Sequence, residues 1–257
     1  MSLTRVKDLS SATKLTVDTN TLHADETDNR VGIGTTTPAK KIHVHESAAA
    51  GEGILLTNGH NVAGTYSDIK WAYSAADQSY GAGLRFKQVD TTHGGQLEFY
   101  TDNASGSYTE QMRINENGNV NKFNQPSFRA GSTGGISTGS NVSTLVLPNV
   151  HHNVGNHYNS SNYTFTCPVA GIYYFGFHGN VRDVGSSSTT SVYAQIMKNG
   201  NRQAIYYCSD EPNAAWHLLS GSIILNCAVN DAILVSSGAN AYWDSSDWTQ
   251  FYGYLLG

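Results

Sequence analysis

The stretch Phe165-Thr-Cys-Pro-Val-Ala-Gly-Ile-Tyr-Tyr-Phe-Gly-Phe-His178 combines a turn signal with a strongly alternating pattern. Its proline and first glycine predict a tight turn between two strands. After the turn, every second residue is glycine or aromatic, namely Gly171, Tyr173, Phe175 and Phe177. This period of two is typical of a strand with one buried face. The three rings are therefore expected to pack against another sheet or another subunit.

A second alternating aromatic segment lies at Phe251–Leu256. Together the two segments resemble the globular head of complement component one-q, a trimeric jelly roll related to tumour necrosis factor. The family spacing continues towards the N-terminus through Phe165, Tyr158 and Asn153. One position departs from the family, because Leu147 stands where its outermost phenylalanine belongs. The departure is apolar for apolar and leaves the resemblance intact.

Further segments match elements of the same family: Phe128–Ala130 its opening strand, Lys198–Gly200 its central hairpin, and Phe251–Leu256 its last strand. The resemblance covers residues 126–257 and implies a ten-stranded jelly-roll head that forms trimers. It does not identify a ligand, because one fold hosts many functions. The composition of residues 130–140 alone suggests a flexible linker. Their place in the family pattern favours a long loop after the first head strand.

The first half of the chain resembles a different class of protein. The segment Asn29-Arg-Val-Gly-Ile-Gly-Thr-Thr-Thr-Pro-Ala-Lys-Lys-Ile-His-Val44 is similar to a motif of bacteriophage tail fibres and related virion fibres. In those proteins the motif leads from a thin stalk into a wider module. Residues 110–120 resemble the strand and turn that end such a module. They continue as Asn121-Lys-Phe123 without a second Gly-Ile-Gly-Thr, so the shaft is expected to end there.

Composition excludes several classes of protein. Charged residues make up 14% of the chain, against roughly 25% in typical globular proteins, and no segment shows a sustained helical period. We therefore expect an all-β fold. The net charge of −5 argues against nucleic-acid binding, which needs a basic surface. No membrane span or signal peptide is evident. Three cysteines cannot all pair within one chain, so buried free thiols in a reducing cytoplasm are expected.

These features predict three parts: an N-terminal anchor and thin stalk at residues 1–46, a shaft domain at 47–123, and the jelly-roll head at 124–257. The stalk strands are too short to bury a core alone, so they are expected to intertwine with two other copies around a threefold axis. The shaft is predicted to be a small β-sandwich, because its candidate strands alternate between turn signals. Those strands are residues 53–57, 68–74, 83–88, 96–101 and 110–114.

Metal sites are weighed at three places, and we expect none, nor any other cofactor. His43 and His45 lie on one face of a strand, and three copies would supply six nitrogens for an axial transition metal. The favoured alternative is that Ile42 and Val44 face inward and the histidines face solvent. The other two places are a histidine cluster in a head loop and a carboxylate pair suited to calcium at a trimer apex. They comprise His151, His152 and His157, and Asp244 with Asp247.

The best candidate for receptor binding is the segment Tyr242-Trp-Asp-Ser-Ser-Asp-Trp248. It precedes the last strand, and the family resemblance implies that it lies at or near the distal tip of the head. Aromatic faces beside carboxylates suit sugar recognition. The candidate residues are Tyr242, Trp243, Asp244, Asp247 and Trp248, with a second aromatic region of Tyr206, Tyr207 and Trp216. The alternative is that the tryptophans belong to the core or to a trimer interface.

No catalytic motif is recognisable, so an enzyme is not expected. The sequence favours a homotrimeric bacteriophage tail fibre, made in the host cytoplasm and carried on the virion. Its N-terminus would join a tail, baseplate or capsid component, and its head would bind a host surface glycan or protein. Two alternatives remain open. One is a capsid decoration whose head serves only trimerisation, and the other is a glycan-degrading tailspike.

Overall fold

A computed structural model describes the chain as β-strands joined by turns, which confirms the all-β prediction. The residues it describes are 14–17, 22–25, 27–44, 54–56, 62–72, 80–92, 94–103, 105–138, 141–183, 191–209, 216–238, 240–245 and 248–257. Two compact units divide the chain, one of residues 1–69 and 85–96 and the other of residues 70–84 and 97–257. The predicted boundaries at residues 46 and 123 remain predictions.

The first sheet contains the strands β1 (Lys14–Val17), β2 (Leu22–Asp25), β3 (Arg30–Ile33) and β4 (Ile42–Val44), in that order. The first three pair antiparallel, whereas β4 returns parallel to β3 after a crossover. Backbone and side chain fix this crossover, because Val31 N donates to Lys41 O at 2.8 Å and Arg30 donates to Pro38 O at 2.9 Å. The short strands therefore pair within one chain. Intertwining with other copies remains a prediction.

The expected burial of Ile42 and Val44 in preference to His43 does not hold in the single chain, because Val44 and His43 are both half-buried. Ile42, predicted to face inward, is 70% exposed, and His43 is half-buried. Instead, the crossover covers the opposite face, where Ala39 N donates to Nδ1 of His43 at 3.2 Å. His45 lies outside the described residues. A strand of three residues offers too few positions for alternation to identify its buried face.

The second sheet is a meander of five strands in sequence order. They are β5 (Tyr66–Ala72), β6 (Tyr80–Gln88), β7 (Gly95–Asp102), β8 (Tyr108–Ile114) and β9 (Val120–Lys122). Polar side chains shape its turns: Oδ1 of Asn115 accepts the N–H groups of Asn117 and Asn119, at 3.1 and 2.8 Å. Oδ1 of Asn103 does the same for Ser105 and Ser107, both at 3.0 Å. These are Asx turns, in which a short side chain replaces backbone acceptors.

The predicted shaft sandwich is wrong for the part of residues 47–123 that the structure describes. These residues form one sheet, and the first predicted strand is absent because residues 54–56 are not paired. Apolar side chains of the second sheet remain largely solvent-exposed: Ile69 is 50%, Trp71 61% and Phe86 43% exposed. Alternation indicates a strand with two different faces, but it does not reveal whether a second sheet or another molecule covers the apolar one.

The head is a jelly roll of two packed sheets. Its strands are β10 (Ser127–Gly131), β11 (Ile136–Ser137), β12 (Ser143–Thr144), β13 (Asn149–Val154), β14 (Tyr158–Asn159), β15 (Thr164–Thr166), β16 (Gly171–Asp183), β17 (Ser191–Lys198), β18 (Asn201–Ser209), β19 (His217–Cys227), β20 (Ala232–Ser237), β21 (Ala241–Trp243) and β22 (Gln250–Leu255). One sheet has the order β11-β21-β16-β22-β10-β13, with β19 on the other edge of β16. The other has the order β14-β15-β20-β17-β18, with β12 against β20.

The aromatic stripe of β16 is buried within a single chain. Tyr173, Phe175 and Phe177 are fully inaccessible to solvent. Phe165 from the opposite sheet lies 5.9 Å from Tyr173 and 5.8 Å from Phe175, measured between ring centroids. Of the two partners that the sequence allowed, another sheet is therefore correct. Burial of the stripe does not by itself require a second copy of the chain.

The residues that carry the family spacing hold one corner of the head together. The side-chain amide of Asn153 donates to Tyr158 O at 2.8 Å, and its carbonyl accepts Tyr158 N–H at 3.0 Å. The Tyr158 hydroxyl donates to Leu147 O at 2.9 Å, and burial raises the pKa of this phenol. A buried hydroxyl needs such a partner. The loop at residues 130–140 contains β11, which pairs with β21, as expected of a loop within the head.

Asp231 joins two turns of the head. Asn199 and Gly200 have φ values of 52° and 76° and form the predicted β17–β18 hairpin. Asn199 Nδ2 donates to Asp231 Oδ1 at 2.7 Å, and Ala228 N donates to Asp231 Oδ2 at 2.9 Å. Lys198 Nζ lies 3.2 Å from the same Oδ2. The hydrogen bond from Asn199, followed by that from Ala228, holds the pKa of this carboxyl below its usual range.

Replacing Asp231 with asparagine is expected to destabilise the head at neutral pH and to have little effect in acid. A carboxyl with a lowered folded-state pKa stabilises the fold above its unfolded pKa of about 4 and loses that contribution as pH falls through the folded pKa. Urea unfolding from pH 3 to 7 measures this difference. Glu116→Gln, in the exposed β8–β9 turn, is the control and should show no such trend. A difference that stays constant across this range would contradict the expectation.

Candidate functional site

Tyr242 and Trp243 lie at one end of the head. Strand β16 begins beside Leu255, near Gln125, where the chain passes into the head and the Gln125 side chain donates to Leu255 O. Its other end pairs with β21, which carries Tyr242 and Trp243. The segment before the last strand is therefore at the end of the head opposite to residue 125. Within the head, this agrees with the distal position implied by the family resemblance.

Trp243 is a core residue. Its side chain is fully buried, and its ring lies 5.3 Å from that of Phe177 in an edge-to-face arrangement. The indole Nε1 donates to Ser237 Oγ at 2.7 Å, so the polar atom of the ring is also satisfied inside. Trp243 cannot contact a receptor in this conformation. The alternative assignment to the core is correct for this residue.

Tyr242, Trp216 and Arg182 form a row across neighbouring strands on the outer face of the sheet. Tyr242 is paired with Arg182, and Trp216 directly precedes β19 on the other side of β16. The guanidinium carbon of Arg182 lies 4.9 Å from the Tyr242 ring centroid and 5.0 Å from that of Trp216. The two rings are 5.9 Å apart, and Trp216 is 43% exposed. We call these three residues the Arg182 row.

Arg182 was missed by sequence reasoning, although the sequence contained a signal for it. The inward positions of β16 are the odd-numbered ones, from Tyr173 to Val181, so Arg182 falls on the outer face. A search for aromatic residues in loops does not find a cation on a strand. Tyr242 and Trp216, predicted in separate regions, are brought together by this arginine.

The remaining candidates are dispersed. Asp244 Oδ1 accepts Ser245 N–H at 2.8 Å, and its Oδ2 lies 3.4 Å from Asn180 Nδ2. Trp248 is 60% exposed. Asp247 lies outside the described residues, so the proposed calcium pair cannot be assembled from them.

Tyr206 and Tyr207 do not belong to one aromatic surface with Trp216. The hydroxyl of Tyr206 donates to Ser222 O at 2.9 Å, its ring lies over Gly221, and burial raises its pKa. Tyr207 points the other way from β18 and is 69% exposed. Successive residues of a strand face opposite sides, which separates these neighbours.

The described residues contain no group of three or more metal-binding side chains. His151 and His152 are exposed on β13, whereas His157 is half-buried, and desolvation lowers its pKa. In the first sheet, sequence reasoning missed His23, which is 3% exposed and faces Gly32 in the neighbouring strand. For the described part of the chain, the structure shows no helix long and apolar enough to span a membrane.

The three cysteines are free thiols, as predicted, with Cys167 and Cys227 buried and Cys208 half-buried. Burial raises the pKa of the Cys167 and Cys227 thiols. Because the thiolate is the nucleophile, we expect both to resist alkylation at pH 8 until the head unfolds, while Cys208 reacts first. Mass spectrometry after timed maleimide treatment measures this order, and Cys208→Ser is the control. Fast modification of the Cys208→Ser variant in the folded state would contradict it.

Part of this sequence is similar to known proteins. Human complement C1q and tumor necrosis factor-related protein 9B is 32% identical over 110 residues, which cover 41% of this chain and 31% of that protein. The mouse related protein 9 is 31% identical over the same shares. The chain thus spans about a third of the length of these relatives, and the match leaves more than half of this chain uncovered.

Solved structures of similar fold include the globular domain of zebrafish complement 1qA, with 14% identity and a TM-score of 0.39, which covers 51% of this chain and 98% of that one. Murine APRIL at pH 5.0 has 14% identity and a TM-score of 0.42, and covers 51% and 99%. The family model of the C1q domain matches residues 127–256, which begin at β10 and end after β22. With half of its length matched in this way, the chain belongs to the C1q domain family.

Proposed function

We propose that this chain is a homotrimeric virion fibre of a bacteriophage, whose C1q head attaches the particle to the host cell surface. The observation that carries the adhesive part is the Arg182 row, an aromatic and cationic surface at the end of the head opposite to residue 125. Trp248, also exposed near this end, adds a second aromatic surface. Exposed aromatic side chains on a rigid sheet suit the recognition of sugars or of a protein surface.

Exposed apolar surface supports the homotrimer. On the outer face of the head, Ile224, Tyr174 and Tyr254 lie side by side on three strands, and Ile224 is 61% exposed. The Tyr174 and Tyr254 rings are 5.3 Å apart. We call these three residues the tyrosine patch. Contiguous apolar patches of this kind mark contact surfaces, and C1q domains typically form homotrimers.

The phage assignment depends on the motifs at residues 29–44 and 110–120, which lie outside the matched C1q domain. Three free thiols are compatible with folding in a reducing cytoplasm, where a phage protein is made. In this proposal the N-terminal part at residues 1–46 joins a tail, baseplate or capsid component. Imaging of virions labelled at the N-terminus would locate the attachment point.

Adsorption measured with purified trimer as competitor tests the adhesive function. Saturating trimer should block attachment of the phage to its host, because the trimer occupies the receptors to which the virion would bind. Trp216→Ala is expected to weaken this competition while the trimer persists in sedimentation. Unchanged adsorption at saturating trimer would remove the receptor-binding proposal.

The exposed tyrosine patch also favours a second candidate, a capsid decoration whose head serves only to trimerise the chain. In that case, Trp216→Ala would change neither adsorption nor assembly. Substitution of Tyr254 by arginine would dissociate the trimer, because it places a charge in the tyrosine patch. Release of reducing sugars from host polysaccharide would instead indicate a glycan-degrading tailspike. No observation on the described residues favours that function.

A further inference from the structure

We propose that the Arg182 row is a subsite for a carboxylate-bearing sugar, such as a sialic or uronic acid residue. This inference rests on the proposed adhesive function and names the chemical class of its ligand. Three features carry it: an arginine in contact with two rings, a positive charge without an ion-pair partner among the described residues, and a glycine backbone close to the tyrosine hydroxyl.

Among the described residues, the side chain of Arg182 makes its contacts with two aromatic rings. Its guanidinium carbon is about equally distant from both ring centroids, 5.0 Å for Trp216 and 4.9 Å for Tyr242. Such cation–π contacts orient the planar guanidinium without using its N–H donors. The buried Nε of Arg182 has no hydrogen-bond partner among the residues that the structure describes. Buried donors without a partner are rare, and this one leaves the guanidinium short of the hydrogen bonds that it could make.

The charge on Arg182 is not paired with Asp244, the carboxylate that directly follows β21. Asp244 is engaged with Ser245 N–H and lies near Asn180, and among the described residues no ion pair involves Arg182. A guanidinium offers parallel N–H donors that match the two oxygens of a carboxylate. The row therefore has the charge and geometry to bind an anion of that shape.

The rings favour a sugar over a protein carboxylate. A carboxylate on a pyranose ring presents the anion and an apolar C–H face together, which is what an arginine flanked by Trp216 and Tyr242 can contact at once. The Tyr242 hydroxyl lies close to the backbone of Gly135, where an added Cβ would be only 1.9 Å from the hydroxyl oxygen. The glycine thus lets the loop before β11 approach the phenol closely.

The row can stay accessible when the head trimerises. Arg182 lies eight residues beyond Tyr174 along β16, which corresponds to about 26 Å in an extended strand. Contact through the tyrosine patch therefore does not require the Arg182 row. Both surfaces lie on the same face of the sheet, so a trimer would present three copies of the row at one end of its head.

The test compares binding of the full-chain trimer to sialylated and uronic-acid oligosaccharides, each beside its carboxyl-reduced counterpart. We expect at least one acidic sugar to bind, and its reduced counterpart to bind about ten- to a hundredfold more weakly, as for a lost charged hydrogen bond. Arg182→Gln should cause the same loss, and Arg182→Lys a smaller one. Arg202→Gln, the same change on an exposed arginine of β18, is the control and should bind like wild type.

Two further variants separate the site from folding. Gly135→Ala should displace the Tyr242 ring and weaken acidic-sugar binding without any change in charge. Thermal unfolding of each variant must match wild type for the comparison to count, and Arg182→Lys serves if Arg182→Gln unfolds. Equal binding of acidic and reduced sugars, no binding to any acidic sugar of the panel, or equal effects of Arg182→Gln and Arg202→Gln would overturn the inference.

Adsorption to host cells distinguishes this inference from the function on which it depends. If wild-type trimer and the Arg182→Gln trimer block phage adsorption equally well, the adhesive function is supported and the proposed carboxylate subsite is wrong. If blocking is abolished by protease treatment of the cells and not by removal of acidic sugars, the ligand is a protein and the inference is wrong. If wild-type trimer does not block adsorption, the proposed function itself fails.

Discussion

Trp243→Ala is expected to destabilise the head by about 3–5 kcal/mol, the usual cost of truncating a fully buried tryptophan. The indole is completely inaccessible, packs edge-to-face on Phe177 and donates to Ser237. Its removal leaves a cavity and deprives the Ser237 hydroxyl of a donor. Because domains are stable by only about 5–15 kcal/mol, this single change removes a large part of the total.

Urea unfolding at a fixed chain concentration measures the effect, since assembly makes stability depend on concentration. Trp248→Ala is the matched control: it removes the same side chain from a position that is 60% exposed, so the change should stay within about 0.5 kcal/mol. Similar midpoints for the two variants would show that Trp243 is not in the core. Loss of adsorption in Trp243→Ala would therefore report unfolding, whereas Trp216→Ala tests binding.

The sequence predicted the head well because its strand alternation, its turn residues and its family spacing all indicate the same topology. Alternation in β16 identifies the buried face, and the Asn199-Gly200 turn and the Asn153 position are consistent with the same topology. A strand of thirteen residues samples its period often enough to be unambiguous. A fold can be predicted from its sequence when local signals, such as turns and alternation, are consistent with the overall topology.

The same reasoning failed where strands are short or their partners are unspecified. In β4, three residues could not reveal that Ile42 faces solvent or that the strand runs parallel to its neighbour. In the second sheet, alternation was correct, but the inferred covering sheet is not found among the described residues. Alternation could not settle this, because period two is the same whatever covers the face.

The candidate site was partly predictable for a similar reason. Tyr242 and Trp243 are adjacent, so one must face in and the other out, but only their pairing with Arg182 and Val181 decides which. The loop that holds the tyrosine is remote in sequence, at Gly135. A site made by neighbouring strands depends on register, which the sequence of one strand does not contain.

Gly253→Ala is expected to destabilise the head by about 1–3 kcal/mol, as overpacking of a core does. Gly253 lies in β22, paired with Phe128 on one side and Phe175 on the other. The two phenylalanine rings approach to 6.5 Å across it. A Cβ at this position would lie 2.5 Å from Phe175 Cδ1 and 2.9 Å from Tyr174 O. The ring could rotate away, but the carbonyl belongs to the ladder of β16 and cannot move without loss of pairing.

The sign of this effect is the informative part, because glycine in a strand is ordinarily less stable than alanine by about 0.5–1 kcal/mol. Gly134→Ala is the control, since a Cβ there meets nothing within 4 Å. It should leave the urea midpoint unchanged or raise it, as expected when a substitution reduces the entropy of the unfolded chain. A Gly253→Ala midpoint equal to that of Gly134→Ala would mean that the two sheets can separate locally. The close packing of Phe128 and Phe175 over a bare backbone would then not be what fixes the register of the last strand.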